Sequence, residues 1–455
     1  MRKLIFYKTN MILLKLNLFG PRYPRLNTIN SSLFERNYKL PSTVNRLKFS
    51  FTIILLSLFL PNLLEAQSLD EYLKIAEENN PGIKSSYSLY EAALEKIPQV
   101  NSLDDPTLGV GYFISPIESR VGPQRAKLSV NQMFPWWGTL DAREEVAAKF
   151  AKSKYQDYLD RKNELDFAVK AAYYPLFEVI NQLKWQEELL EILKIYKVFS
   201  TAKFKNGTGP MVDVIRVDII IDDINTDIEL LNDEILPLEV TFNKLLNRAD
   251  NIPVTVENDI EISTIETLYR KDSLLANNPI LRSIDFKMNA AQAQEELAKK
   301  VGMPNIGIGL DYAFINDRTD ASPIDNGKDV IMPMLTLSLP IYRDRIDASI
   351  KEAQLIQESL DFEKQNMENN LLSAYEQSWY NLVDARKKDT LYNEQIVKTQ
   401  QAIDLLYSAY SNSGEEFDEV LRTQLKLLKY KISKATAIKN FYIALAKLDY
   451  LTAKN

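Results

Sequence analysis

The chain has 455 residues and a formal charge of −7, and it contains neither cysteine nor histidine. The lack of cysteine excludes disulfides, thiol catalysis and thiolate metal sites, and the lack of histidine removes the commonest general base and transition-metal ligand. These absences argue against an enzyme, and we expect neither a metal site nor a cofactor. The acidic balance argues against a nucleic-acid partner, which would need a basic surface.

The first 66 residues differ in composition from the rest. They contain ten Lys/Arg and two acidic residues, and a short basic segment is followed by an apolar run over 49–60. A basic segment before an apolar run is typical of a secretory signal peptide, and we expect cleavage before Gln67. Because the basic segment begins late, residues 1–45 are predicted to be an unstructured N-terminal extension.

The remaining sequence is a tandem duplication. The segment Asn79-Asn80-Pro81 returns 198 residues later as Asn277-Asn278-Pro279. Three further correspondences follow in the same order: Pro106-Thr-Leu-Gly-Val-Gly-Tyr112 with Pro304-Asn-Ile-Gly-Ile-Gly-Leu310, Met133-Phe134-Pro135 with Ser338-Leu339-Pro340, and Gly207 with Gly414. A duplication predicts two similar halves. We assign the first repeat to 67–250, a linker to 251–261 and the second repeat to 262–455.

Long helices dominate both repeats. Residues 139–206 contain no glycine and one proline, Pro175, and residues 341–455 contain one glycine and no proline. A helix over 139–205 would be about 100 Å long, and Pro175 is predicted to kink or break it. The pattern predicts further helices over 69–100, 210–246, 262–301 and 415–453.

Two hairpins, over about 106–134 and 304–340, alternate between apolar and small or polar residues. In the second, Ile306, Ile308 and Leu310 share one face, and Gly307 and Gly309 share the other. Strands of 8–10 residues with this period suit a transmembrane β-strand, although a half-buried soluble hairpin has the same pattern. Four strands cannot close a membrane barrel, so several chains would each have to contribute four. Three chains would supply twelve strands.

These features resemble the TolC-like outer membrane efflux proteins of Gram-negative bacteria. The resemblance covers 67–455 and is strongest at three segments: the corner Gln132-Met-Phe-Pro-Trp-Trp-Gly-Thr-Leu140, the turn Phe204-Lys-Asn-Gly-Thr-Gly-Pro-Met-Val-Asp-Val-Ile-Arg216, and its counterpart Tyr410-Ser-Asn-Ser-Gly-Glu-Glu-Phe-Asp-Glu-Val-Leu-Arg422. The corner resembles that of the heavy-metal efflux branch. The family implies a mainly α-helical homotrimer, with duplicated helical hairpins forming a periplasmic tunnel and four β-strands per chain forming a twelve-stranded barrel.

The resemblance also implies partners and a gate. Family members have no catalytic activity, and they dock with a periplasmic adaptor and an inner-membrane pump. Their tunnel closes at the helix tips, where some members carry an Asp-x-x-Asp pair; the matching positions here are Glu419 and Arg422. Acidic residues just before them could supply the mouth instead, namely Glu415, Glu416 and Asp418.

Other tip residues carry simpler interpretations beside functional ones. Gly207 and Gly414 are either hinges or glycines that end a helix with positive φ. Asp213 and Arg216 form either a solvated pair within one helix, which we favour, or a latch to a neighbouring helix. For the acidic cluster around Glu419 we favour the gate.

Aromatic residues follow two strands. Trp136, Trp137 and Tyr342 are interpreted as an aromatic belt at the membrane surface, because indole prefers the headgroup level, rather than as substrate contacts. A soluble periplasmic coiled-coil scaffold or adaptor is the alternative function. The duct is favoured because adaptors usually join one helical hairpin to a larger β-rich portion. The sequence does not specify the cargo.

Overall fold

A computed structural model describes residues 68–257, 259–262, 275–413 and 417–454. The signal segment 1–66 and the tip residues Gly414, Glu415 and Glu416 lie outside this set. The described residues form the expected secondary structure, with long helices and one small antiparallel sheet. None of the helices in this set is both long and apolar enough to cross a membrane.

The first helix of each repeat differs from the prediction. Instead of one helix over 69–100, α1 (Leu69–Asn79) and α2 (Pro81–Val100) are separated by Asn80, whose backbone is extended. A residue before proline avoids the helical region, which explains the break. The side chain of Asn80 then caps α2 by accepting hydrogen bonds from the N–H groups of Gly82 and Ile83.

The second repeat has the same interruption. The predicted helix over 262–301 is represented by α5 (Pro279–Val301), which is capped by Asn278; residues 263–274 are not described. The two asparagines also anchor matching helix ends, since Asn80 donates to the carbonyl of Leu245 and Asn278 to that of Leu451. The repeated Asn-Asn-Pro therefore performs the same structural role twice.

The longest helices form as predicted, except at Pro175. Helix α3 (Thr139–Lys205) has 67 residues and continues through Pro175, so the predicted break is absent. The neighbouring Tyr174, Leu176 and Phe177 are buried, and this packing offsets the hydrogen bond that proline removes. The remaining helices are α4 (Met211–Leu245), α6 (Asp344–Ser413) and α7 (Phe417–Thr452).

The helices form one layer, and the two halves of α3 have different neighbouring helices. Its first half packs between α2 and α5, and its second half between α4 and α7. Side-chain hydrogen bonds mark both halves: Asp157 of α3 accepts from Ser283 of α5, and Gln186 of α3 donates to Asp227 of α4. Helix α6 packs on α5 and α7. Helices α2 and α4 thus lie at one edge of the layer and α6 at the other.

The four strands are β1 (Thr107–Ile117), β2 (Gln124–Phe134), β3 (Asn305–Ile315) and β4 (Val330–Ser338). They pair antiparallel in the order β1-β2-β3-β4, so the two hairpins join through β2 and β3. The outer edges of β1 and β4 have no partner strand among the described residues.

Where the hairpins turn, their loops also touch. The N–H of Asn316 donates to the carbonyl of Pro123, and the N–H of Gly327 donates to that of Val121. Gly122 has a φ of 135°, and a side chain there would strike the backbone oxygen of Asn316. The loops of the two hairpins therefore pack against each other.

A partly buried carboxyl on α3, that of Asp160, makes the stability of the fold depend on pH. Burial raises the pKa of Asp160 to about 6, although a hydrogen bond with Tyr450 opposes the shift. Because the folded state holds this proton more tightly than the unfolded state, the fold loses stability as pH rises from about 4 to about 6.

We therefore expect Asp160→Asn to stabilise the protein by about 1–3 kcal/mol at pH 8 and to have little effect at pH 4. The thermal unfolding midpoint of the detergent-extracted protein at both pH values would measure this. Glu145→Gln, at an exposed carboxylate on the same helix, is the control and should change the midpoint little at either pH. A destabilising effect of Asp160→Asn at pH 8 would contradict the prediction.

Candidate functional site

One face of the sheet is apolar and exposed. The register aligns its residues across the strands, with Val110 opposite Leu128 and Ile308 opposite Leu335. Many of these side chains are more than half exposed, including Leu108, Val110, Tyr112, Ile308, Leu335 and Leu337. A continuous apolar surface of this size on a sheet is unusual for a protein surrounded by water. The arrangement suits strands whose outer face meets lipid.

The opposite face is small, polar and crowded. It contains the glycines of β1 and β3 together with Ser129, Asn131 and Asp311. A side chain at Gly309 would strike the amide of Asn131, and a Cβ at Gly307 would lie 2.5 Å from the sulfur of Met133. The polar face is therefore closely packed at these glycines, which leave room for the side chains of the paired strand.

The aromatic residues lie between strands and helices, at one end of the sheet. Trp136 and Trp137 follow β2 and meet edge to face, with ring centroids 4.9 Å apart. Trp137 is 71% exposed, and Tyr342, which follows β4, is 85% exposed. Both repeats thus present an unburied ring at the junction from sheet to helix.

At the far end of α3, the chain turns through a standard helix stop. Gly207 has a φ of 74°, its N–H donates to the carbonyl of Phe204, and the N–H of Thr208 donates to that of Lys203. This pair of hydrogen bonds is the Schellman motif, which requires a left-handed residue at the position of Gly207. The geometry is that of the helix-ending glycine rather than of a strained hinge.

Beside this turn, an aromatic cluster joins the tips of the two repeats. Tyr410 of α6 is stacked on Phe417 of α7 at 4.7 Å and meets Phe199 of α3 edge to face at 5.5 Å. Lys203 of α3 donates to the carbonyl of Tyr410, and its ammonium lies 3.9 Å from the centre of the Tyr410 ring. Burial raises the pKa of Tyr410 to about 12, so its hydroxyl is neutral at physiological pH.

The charged tip residues pair between helices, contrary to the favoured interpretation. Asp418 of α7 contacts Arg216 of α4 at 3.4 Å and Arg422 of its own helix at 2.7 Å. Asp213 is buried, not solvated, and burial raises the pKa of its carboxyl, with the charge of Asp418 adding to the shift and Arg216 opposing it. The predicted solvated pair of Asp213 with Arg216 is therefore wrong, because Arg216 reaches across to the other repeat.

Sequence reasoning singled out the ion-pairing residues but missed their aromatic support. Phe199, Lys203 and Phe417 were not proposed, and neither was the pairing of Arg422 with Asp418. A usable signal was present: aromatic residues flank both turns, at Phe204, Tyr410 and Phe417. Phe199 lies about 200 residues from Tyr410 in the chain, so the contact between the two repeats follows only from the fold.

Comparisons with known proteins agree with this architecture. No family model matches the chain. TolC of Salmonella enteritidis is 23% identical over 422 residues, which is 85% of this chain and 82% of TolC.

Solved structures share the fold at lower identity. The outer membrane protein VceC of Vibrio cholerae aligns with a TM-score of 0.68 and 13% identity, over 84% of this chain and 95% of VceC. The channel CusC aligns with a TM-score of 0.71 and 13% identity, over 84% of this chain and 91% of CusC. This similarity extends over most of each chain, so the protein shares the fold of VceC and CusC.

Proposed function

We propose that this chain is one subunit of a homotrimeric duct, in which three sheets close into a twelve-stranded barrel above a helical tunnel. The observation that carries the proposal is the sheet itself: an exposed apolar face and two open edges on only four strands. Open edges in lipid would leave backbone groups without hydrogen bonds. Joining β4 of one chain to β1 of the next keeps the pairing antiparallel and removes every edge.

Exposed apolar side chains on the edge helices support the same closure. Leu89 of α2 and Leu230 of α4 are 59% and 62% exposed on one edge of the layer. Phe362 and Leu405 of α6 are 60% and 74% exposed on the other. Packing one edge on the opposite edge of the next chain would bury these side chains, each with a gain of roughly 1.5–3 kcal/mol if fully buried.

The helix tips are proposed to be the periplasmic gate. Asp418 connects the two repeats through Arg216, and Lys203 connects them through the carbonyl of Tyr410. In a trimer these connections would occur three times around the axis. The remaining proposed gate residues are Gly207, Asp213, Glu419 and Arg422, together with Gly414, Glu415 and Glu416 of the second tip.

Partners and cargo are proposed from the resemblance to TolC-like efflux proteins and from no contact in the chain. We propose docking to a periplasmic adaptor and an inner-membrane pump, which would supply the energy, and a membrane-surface role for Trp136, Trp137 and Tyr342. The corner Gln132–Leu140 supports the heavy-metal branch. Among the described residues no group of three acidic side chains is arranged to hold a metal ion.

The alternative, a soluble periplasmic scaffold, is disfavoured by the apolar face of the sheet. The deciding experiment expresses the full chain in a Gram-negative host, separates the two membranes and measures the mass of the detergent-extracted oligomer by light scattering. We expect three copies, found in the outer membrane. A monomer, or a product in the soluble periplasmic fraction, would refute the duct and favour the scaffold.

A further inference from the structure

Charged side chains are scarce in the sheet. The described strands contain three: Arg125, Lys127 and Asp311. Arg125 is exposed near the loop end of β2. The other two lie in the middle of neighbouring strands and form an ion pair on the polar face.

The register explains why these two residues meet. Ser129 lies opposite Asp311, and Lys127 lies opposite Ala313, so the pair is diagonal across β2 and β3. Diagonal neighbours are within reach of a long side chain. The residues that lie opposite this pair in the register are Gly111, Ser129, Ala313 and Met332, none of which carries a charge.

The two partners differ in their exposure. Asp311 is 1% exposed, whereas the side chain of Lys127 is 37% exposed. A buried carboxylate must be paired, because an unpaired buried charge is strongly unfavourable. Asp311 therefore compensates the charge of Lys127, whose ammonium would otherwise be an unbalanced positive charge on the polar face of the sheet.

We infer that the Lys127–Asp311 pair keeps the transmembrane wall of the lumen electrically neutral. The pair thereby sets the charge selectivity of the wall, so that solutes of either charge can pass. The inference rests on the proposed trimeric duct, in which three such pairs would encircle the lumen. Lys127 is the group that meets the solute, and Asp311 acts through Lys127 as a positioning and neutralising residue.

The test is the reversal potential of the full-length channel in planar bilayers under a gradient of potassium chloride. It is run at about 0.01 M salt, where the Debye length is about 30 Å, and at about 1 M, where it is about 3 Å. Each variant is made alone and also combined with Asp418→Ala. The helix tips lie in series with the barrel, and Asp418→Ala should lower the electrical resistance of the tips, so that the barrel contributes more to the measured current.

Asp311→Asn leaves three uncompensated ammonium groups per trimer. By Coulomb's law in water, this should change the chloride-to-potassium permeability ratio by roughly threefold or more in favour of chloride at low salt, and much less at high salt. Adding Lys127→Gln restores neutrality and should return the ratio to that of the wild type. Lys127→Gln alone should shift the ratio toward potassium. Because the two single variants shift in opposite directions, either one that assembles tests the pair.

Asp320→Asn is the matched control, because it breaks an ion pair with Arg318 in the loop between β3 and β4, outside the strands. It should shift the permeability ratio less than Asp311→Asn does. An unchanged ratio in an assembled single variant would overturn the inference, as would a shift that persists in the double variant. If the wild type forms trimeric channels but both single variants remain unselective, this inference is refuted and the proposed duct is not. If the wild type forms no channel, the proposed duct itself fails, and the inference fails with it.

Discussion

Replacing Asp418 by alanine should raise the open fraction, and hence the mean conductance of the channel, by roughly tenfold. The variant frees Arg216 and Arg422 from their shared partner. A partly exposed ion pair contributes at most about 1 kcal/mol, but three subunits together would lose about 1–3 kcal/mol of closed-state stability. Since 1.4 kcal/mol corresponds to a factor of ten in an equilibrium, the shift is large enough to measure in planar bilayers.

The control for this prediction is Asp404→Ala on α6. Asp404 is exposed and accepts a hydrogen bond from Gln400 of the same helix. Asp404→Ala removes one negative charge near the tip, as Asp418→Ala does, but it releases no contact between the two repeats. The conductance should therefore change little. Equal conductance changes in the two variants would show that charge at the mouth, rather than a latch, controls the current. Arg216→Ala should reproduce part of the Asp418→Ala effect.

Two neighbouring residues of β4 should tolerate arginine very differently. Leu335 is 79% exposed on the apolar face, whereas Thr336 points to the polar face. Arginine on a lipid-facing strand position costs about 2–4 kcal/mol near the middle of the bilayer, and the trimer would carry three copies. We expect Leu335→Arg to reduce the amount of trimer in the outer membrane at least about tenfold.

Thr336→Arg is the matched variant, with the same added charge one residue away. It should assemble to nearly the level of the wild type, because the proposed lumen contains water. The amount of trimer in isolated outer membranes, compared with total expressed protein, measures both variants. Similar accumulation of the two variants would mean that the apolar face does not meet lipid, and the hypothesis of a membrane-embedded sheet would be abandoned.

The sequence alone determined the elements whose formation depends on local preferences. The near absence of glycine and proline from 139–206 predicted α3, and strict alternation predicted which residues of β3 share a face. Both signals are periodic along the chain, so they need no knowledge of distant residues. The duplication predicted that the second half would repeat the first, and it does so down to the capping roles of Asn80 and Asn278.

Only the tertiary structure decided the details that depend on residues far apart in the chain. Pro175 was expected to kink or break α3, but it does not break the helix, because its neighbours are buried and this packing offsets the lost hydrogen bond. Arg216 was expected to pair with Asp213, three residues away, but the fold places Asp418, about 200 residues away, within 3.4 Å of it. Local spacing indicates which partners are possible; competition from residues of other helices determines which partner is used. The ion pair of Lys127 with Asp311 arises in the same way, because only the register of β2 on β3 brings the two residues together.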